Sequence, residues 1–300
     1  MHSPCQQLER PPPQFIEASA SLRDAGTQVL IMSSPKGGAT LSLRLMLASV
    51  NLTQKAMAYG GYPLSFAHQV FEKGDHRPTT KSLGDCKNSS WLCIVLVRNP
   101  LDRAVSSFAH TLGHYDKLGA ELNGLSGRNA SFAQFVDALD QRAIDRKHTP
   151  GESHFMPQVT VSSNAGVLSV PIEMLNEPDG YECPALARLQ GWRLAELESS
   201  HSMEGHYLEK VNESMMGSEH LSWSDLNKSK AAHAFPFYDS FWKGNQTFCR
   251  HVVGCLFRGD YTMYVDACTR PELRGCAAYT RACTKELARL KSVCSLAAAS

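Results

Sequence analysis

The sequence predicts an α/β fold with a central parallel sheet and helices on both faces, on two observations. Short apolar runs end in loops that lead straight into helical stretches, and helical stretches rather than tight turns separate successive runs. Continuous apolar runs are what a sheet buried on both faces requires, and parallel neighbours need a crossover connection. Residues 28–32 (Gln-Val-Leu-Ile-Met) are the first such run, 92–97 (Leu-Cys-Ile-Val-Leu-Val) the second and 167–170 (Val-Leu-Ser-Val) a third.

Taken in order, the first 26 residues read as a loosely ordered arm containing Pro11-Pro12-Pro13. The first strand ends in a loop, Ser33-Ser34-Pro35-Lys36-Gly37-Gly38-Ala39-Thr40, followed by helix-forming residues 41–50. The second runs into Arg98-Asn99-Pro100, where Asn99 suits the N-cap and Pro100 the first helical position, with helix expected over 101–111. Ser131-Phe-Ala-Gln134 has the form of a capping box and opens a helix to about Ile144. Further helices are expected over 185–197, 239–257 and 277–290. No linker interrupts the chain, so one domain is expected over 27–267, followed by a cysteine-rich helical tail over 268–300.

Of the 300 residues 43% are hydrophobic and 20% charged, which is ordinary for a packed protein. The net charge of +1 gives no reason to expect a nucleic-acid or membrane partner, although it leaves room for a local anion site. No run approaches the roughly 18 apolar residues of a membrane helix. Six of the ten cysteines fall between Cys249 and Cys294, none in a CxxC pair, so disulfides of an oxidising lumen are expected rather than a metal site, with free buried thiols as the alternative. Six N-x-[Ser/Thr] sequons, at Asn51, Asn88, Asn129, Asn212, Asn227 and Asn245, point to the same oxidising, glycosylating lumen. Any membrane attachment is expected to come from an anchor outside this chain.

The loop around Lys36 has the chemistry of a phosphate cradle. Two glycines admit close backbone approach, the following helix offers its positive end, Thr40 adds a hydroxyl and Lys36 a mobile charge. It is not a Walker A loop, in which lysine follows the second glycine. A second anion site is expected where the next strand ends: Arg98 at the tip and Ser106 two helical turns later can share one phosphate.

Together these segments carry a resemblance. Pro35 through Thr40 resembles the 5′-phosphosulfate loop of the sulfotransferases that use 3′-phosphoadenosine 5′-phosphosulfate, and Arg98 through Ser106 resembles their 3′-phosphate motif. His154-Phe-Met-Pro-Gln158 is similar to an element of the Golgi carbohydrate sulfotransferases, as are Phe132-Ala-Gln-Phe135 and Asp260-Tyr261-Thr-Met-Tyr264; the likeness spans about residues 28–265. The resemblance implies a P-loop-like three-layer sandwich, that donor as co-substrate, no metal, a hydroxyl acceptor on a carbohydrate (with a small alcohol, a phenol or a protein tyrosine as alternatives) and a Golgi-lumen location, with the cytoplasm as the alternative. It assigns Lys36 to the oxygen bridging phosphate and sulfate. Gly37, Gly38, Ala39, Thr40 and Leu41 go to the 5′-phosphate, and Arg98 and Ser106 to the 3′-phosphate. Two positions depart from the pattern: Ala39 replaces the commoner hydroxyl residue, at a cost of about 1 kcal/mol of binding, and Leu41 stands where cytosolic enzymes carry tryptophan.

Sulfuryl transfer also needs a base for the acceptor proton. His76, 22 residues before Arg98, is the first candidate, with His154 and His68 as alternatives. Glu173, just past the third strand, is read as a helix cap or an acceptor-orienting group, and Trp192, Trp223 and Trp242 as core aromatics before sugar platforms. Two other functions compete: a phosphotransferase with a variant loop, which leaves Arg98 and Ser106 unexplained, and a non-catalytic binding protein of the same fold.

Overall fold

The computed structural model describes residues 21–24, 28–34, 37–49, 51–59, 66, 86, 90–113, 122, 125, 127, 130–145, 155, 158, 166–189, 241–242 and 244–296. Four strands, β1 (Ser21–Asp24), β2 (Val29–Ser33), β3 (Leu92–Val97) and β4 (Val167–Pro171), lie side by side in that order. β2, β3 and β4 are mutually parallel, whereas β1 pairs antiparallel with β2. The arm expected to be loosely ordered therefore contributes a strand, Ser21 pairing with Met32 and Asp24 with Val29.

Each parallel strand is buried on both faces, which explains the absence of apolar–polar alternation in sequence. Side chains of period two divide between two apolar clusters. Leu30, Met32, Cys93, Val95 and Val97 enter one, with Leu101, Val105 and Phe108 of α3 (Pro100–Gly113) and Phe135 and Leu139 of α4 (Phe132–Asp145). Val29, Ile31, Ile94, Leu96 and Val170 enter the other, with Leu43, Leu45 and Leu47 of α1 (Ala39–Ser49) and Ala56 of α2 (Thr53–Ala58). The fold is thus α/β around a small parallel sheet.

The helix starts follow the chemistry of their first residues. Asn99 Oδ1 accepts from Leu101 N at 2.9 Å, capping α3 as expected. Ser131 and Gln134 form the reciprocal capping box of α4, Gln134 N donating to Ser131 Oγ at 3.2 Å and Ser131 N to Gln134 Oε1 at 2.8 Å. After β4 the chain makes a single short turn, α5 (Ile172–Leu175), and two 3₁₀ segments, Gly180–Glu182 and Pro184–Leu189. The latter replaces the start of the helix expected over 185–197: its backbone leaves helical geometry at Leu186. Of the helix expected over 239–257, the described residues give 3₁₀ geometry at 241–242 and then α6 (Gln246–His251). Gly244 has φ +81°, outside helical geometry, and Asn245 caps the helix by accepting from Phe248 N at 2.9 Å. A π turn, Val252–Leu256, then joins α6 to α7 (Arg258–Ala267). Trp242 is fully buried, its ring edge-on to Phe132 at 5.1 Å, so it is a core aromatic.

The tail is helical, with α8 (Ala277–Cys294) following a 3₁₀ turn at Pro271–Leu273. Disulfides join Cys249 to Cys294, Cys268 to Cys283, Cys183 to Cys276 and Cys86 to Cys93, and Cys255 is also bonded. The expectation of disulfides is met, and among the described residues no cysteine is free. No described helix is long and apolar enough to cross a membrane. The Cys183–Cys276 bond closes a span of 93 residues, and long closed loops restrict the unfolded chain most. Replacing both cysteines with alanine is expected to lower unfolding free energy by about 2–5 kcal/mol, measured by urea denaturation. A change below 0.5 kcal/mol, roughly the scatter of neutral surface substitutions, would contradict a structural role for this bond.

Candidate functional site

The parallel register puts three strand ends on one edge: Ser33 lies opposite Leu96, and Val97 opposite Pro171. In open α/β sheets, ligands bind beyond this carboxyl edge. The residues immediately past it are the Ser34–Gly38 loop, Arg98-Asn99 and Ile172-Glu173.

Gly37 N donates to Ser34 O at 2.8 Å, and Ser42 N donates to Gly38 O at 2.9 Å. The hydroxyls of Ser33 and Ser42, 3.2 Å apart, join the strand end to the second turn of α1. Gly38 has φ +118°, a conformation that disfavours any side chain. Gly37 is needed for proximity instead, since a Cβ there would lie 2.8 Å from Gln158 Oε1. The Ser34 hydroxyl is buried with no hydrogen-bond partner among the described residues. The first turn of α1, which contains Ala39 and Thr40, has no acidic residue to cancel its positive end. An orphaned hydroxyl and an uncompensated helix start together suit an anion. Leu41 is half-buried and packs against the α1-side cluster.

Beside this loop lies Arg98. The side-chain amide of Gln158 brackets its main chain: Arg98 N donates to Oε1 at 2.9 Å, and Nε2 donates to Arg98 O at 3.0 Å. Gln158 is itself fully buried, and its own backbone N–H donates to Asp260 Oδ1. Asp260 Oδ2 accepts from Arg103 Nη1 at 2.5 Å, and neither side chain reaches solvent. Burial lowers the Arg103 pKa, opposed by the charge and hydrogen bond of Asp260. Arg98 and Ser106 are both half-buried at the start and second turn of this strand–helix unit.

Glu173 closes the third side. Its Oε1 accepts from Asn99 N at 2.9 Å and its Oε2 from Tyr264 OH at 3.1 Å. This is the helix-cap alternative expected for Glu173, with both oxygens engaged. Burial pushes the carboxyl up to about 7 against the Asn99 N–H, and the nearby Asp102 and Glu286 charges add to the rise. Tyr264 is raised well above its ordinary value, chiefly by burial. Behind this pair, Asn99 Nδ2 donates to Glu286 Oε2 at 2.8 Å. Arg289 bridges Glu286 at 2.9 Å and both oxygens of Asp102 at 3.0 and 2.5 Å. The cysteine-rich tail therefore supports the start of α3.

Of the expected site residues, Gly37, Gly38, Ala39, Thr40, Leu41, Arg98 and Ser106 belong to elements that begin at this one edge. Lys36, His76 and His154 lie outside the described residues, as do His68, Trp192 and Trp223. Among the described residues no group of histidine, cysteine and carboxylate side chains is arranged to hold a metal. Sequence reasoning missed the parts of Gln158, Asp260, Glu286 and Arg289. The first two sit inside the motifs quoted above without an assigned part, whereas Glu286 and Arg289 carry no local signal. No protein-family model, no curated protein and no solved structure matches the chain.

A carboxyl whose folded pKa lies above its unfolded value favours the native state below the unfolded value and loses that advantage as pH rises towards the folded one. For Glu173 the window runs from 4.5 to about 7, worth up to about 3 kcal/mol. Glu173→Gln keeps an acceptor for Asn99 N and cannot ionise. Relative to wild type its melting temperature is expected to rise between pH 5 and 7.5; a difference independent of pH would contradict the assignment.

Proposed function

We propose that this chain is a sulfotransferase that moves the sulfuryl group of 3′-phosphoadenosine 5′-phosphosulfate to a hydroxyl, on a carbohydrate acceptor. The observation that supports this reading best is the meeting of the two phosphate-binding segments on one side chain. Gln158 Oε1 accepts from Arg98 N and would lie 2.8 Å from a Cβ at Gly37. A ligand with phosphates at both 5′ and 3′ positions needs two anion sites at fixed separation; ATP does not.

The reading extends the parallel sheet, with its apolar cluster on each face, to a P-loop-like three-layer sandwich. The Gly38 amide and the amino end of α1 hold the 5′-phosphate, with the Ser34 hydroxyl close by, while the Gly37 N–H, bonded to Ser34 O, shapes the loop. Arg98 and Ser106 hold the 3′-phosphate. The acceptor oxygen forms a bond to sulfur as the bond from sulfur to the phosphate oxygen breaks, and 3′,5′-ADP leaves. Lys36 neutralises the charge growing on that oxygen, and His76 or His154 takes the acceptor proton. Glu173, with both oxygens occupied by Asn99 N and Tyr264 OH, holds the start of α3 and takes no part in proton transfer. The disulfides and sequons favour the Golgi lumen as the place of action.

Transfer of labelled sulfate from the donor to a panel of desulfated glycans tests this directly. Lys36→Ala is expected to lower kcat by about 10²–10³-fold with an unchanged melting temperature. Arg98→Ala is expected to raise the donor KM by about 10–100-fold, the value of a charge-assisted hydrogen bond. Donor binding without transfer to any acceptor would instead favour a non-catalytic binding protein.

A further inference from the structure

We propose that Gln158 is the residue that makes the two phosphate-binding elements one site, setting the preference for a 3′-phosphorylated nucleotide without itself touching the phosphates; this rests on the donor-site reading above. The argument begins with the number of things one buried amide does. Oε1 accepts from Arg98 N, Nε2 donates to Arg98 O, and the same Oε1 lies against Gly37. Satisfying a main-chain donor and acceptor of one residue takes a group with both functions at fixed geometry, which among side chains of this shape only a carboxamide supplies. Asparagine is one methylene short, and glutamate would face the Arg98 carbonyl with a second acceptor.

Gln158 is held in turn. Its N–H is bound by Asp260, which is paired with the fully buried Arg103. Arg103 is on α3, one turn past Arg98 and on the same helix as Ser106. The contacts therefore close a ring: Arg98 to Gln158, Gln158 to Asp260, Asp260 to Arg103, and back along α3 to Arg98. A shift of Gln158 moves the strand tip that carries Arg98 relative to the loop that carries Gly37. The amide is also neutral, so it joins two anion sites without cancelling the positive charge that either offers.

Titration of the full chain with 3′,5′-ADP and with 5′-AMP, together with hydrogen exchange at the Arg98 amide, reads this out. Gln158→Met keeps the volume and the Asp260 contact of the backbone N–H but loses both bonds to Arg98. The ratio of the two dissociation constants is expected to shrink about tenfold, the loss of roughly one to two neutral hydrogen bonds, and the Arg98 amide to exchange faster. As a second variant, Gly37→Ala presses most closely on the Gln158 amide and less closely on Ser34 O and Oγ. It is expected to reduce the same ratio although Gly37 belongs to the 5′ loop, and to be non-additive with Gln158→Met. An unchanged ratio in both variants, or an equal loss for both nucleotides, overturns the proposal and leaves Gln158 a packing residue. A wild-type protein with no preference for the 3′-phosphate defeats the donor-site reading itself, and this inference with it; that result is seen before any variant is made.

Discussion

Arg103 and Asp260 are both withdrawn from water and face each other across α3 and α7, with one further Asp260 oxygen turned to the backbone of Gln158. Removing two charges from solvent costs several kcal/mol per ion, and their attraction repays this only when the remaining donors and acceptors are met. Here one carboxylate serves two elements far apart in sequence, 103 and 158, and so fixes their separation. A hydrophobic pair could fill the same space but would leave the Gln158 N–H without the Asp260 acceptor. The value of the pair lies in this registration, which places the Gln158 amide on Arg98 and against Gly37.

The tail adds a second support from the other side. Glu286 and Arg289 reach Asn99 and Asp102 in the first turn of α3, while Glu173 takes the Asn99 N–H. Burial is the main reason that Glu173 is pushed up to about 7, and the charges of Asp102 and Glu286, which Arg289 bridges, add to the rise. The disulfides Cys183–Cys276, Cys249–Cys294 and Cys268–Cys283 tether α8, so its charged side chains remain where α3 needs them.

What could be read from the sequence was local. Asn99-Pro100 and Ser131 through Gln134 announced their helices because capping is decided within four residues. The three parallel strands were legible because burial on both faces leaves continuous apolar runs. The glycine loop and Arg98 stood out by residue type alone, and the structure brings Gly37 and Arg98 to one side chain, Gln158. By contrast, β1 is a four-residue pairing with no apolar run of its own, and the late start of α6 depended on Gly244 adopting positive φ. Gln158, Asp260 and Glu286 act across separations of 60, 157 and 187 residues, where neither period nor spacing in sequence carries information. Disulfides were foreseeable from the number and clustering of cysteines, whereas their pairing required the packed helices.

All of these supports converge on the edge that carries Gly37 and Arg98, and calorimetric titration of the wild-type protein addresses directly the proposal that two anion sites lie there. Tight binding of 3′,5′-ADP with at least tenfold weaker binding of 5′-AMP, the smallest difference expected from one charge-assisted contact, is the predicted result. Equal affinity for the two nucleotides would mean that Arg98 and Ser106 do not read a 3′-phosphate, and would contradict the sulfotransferase account.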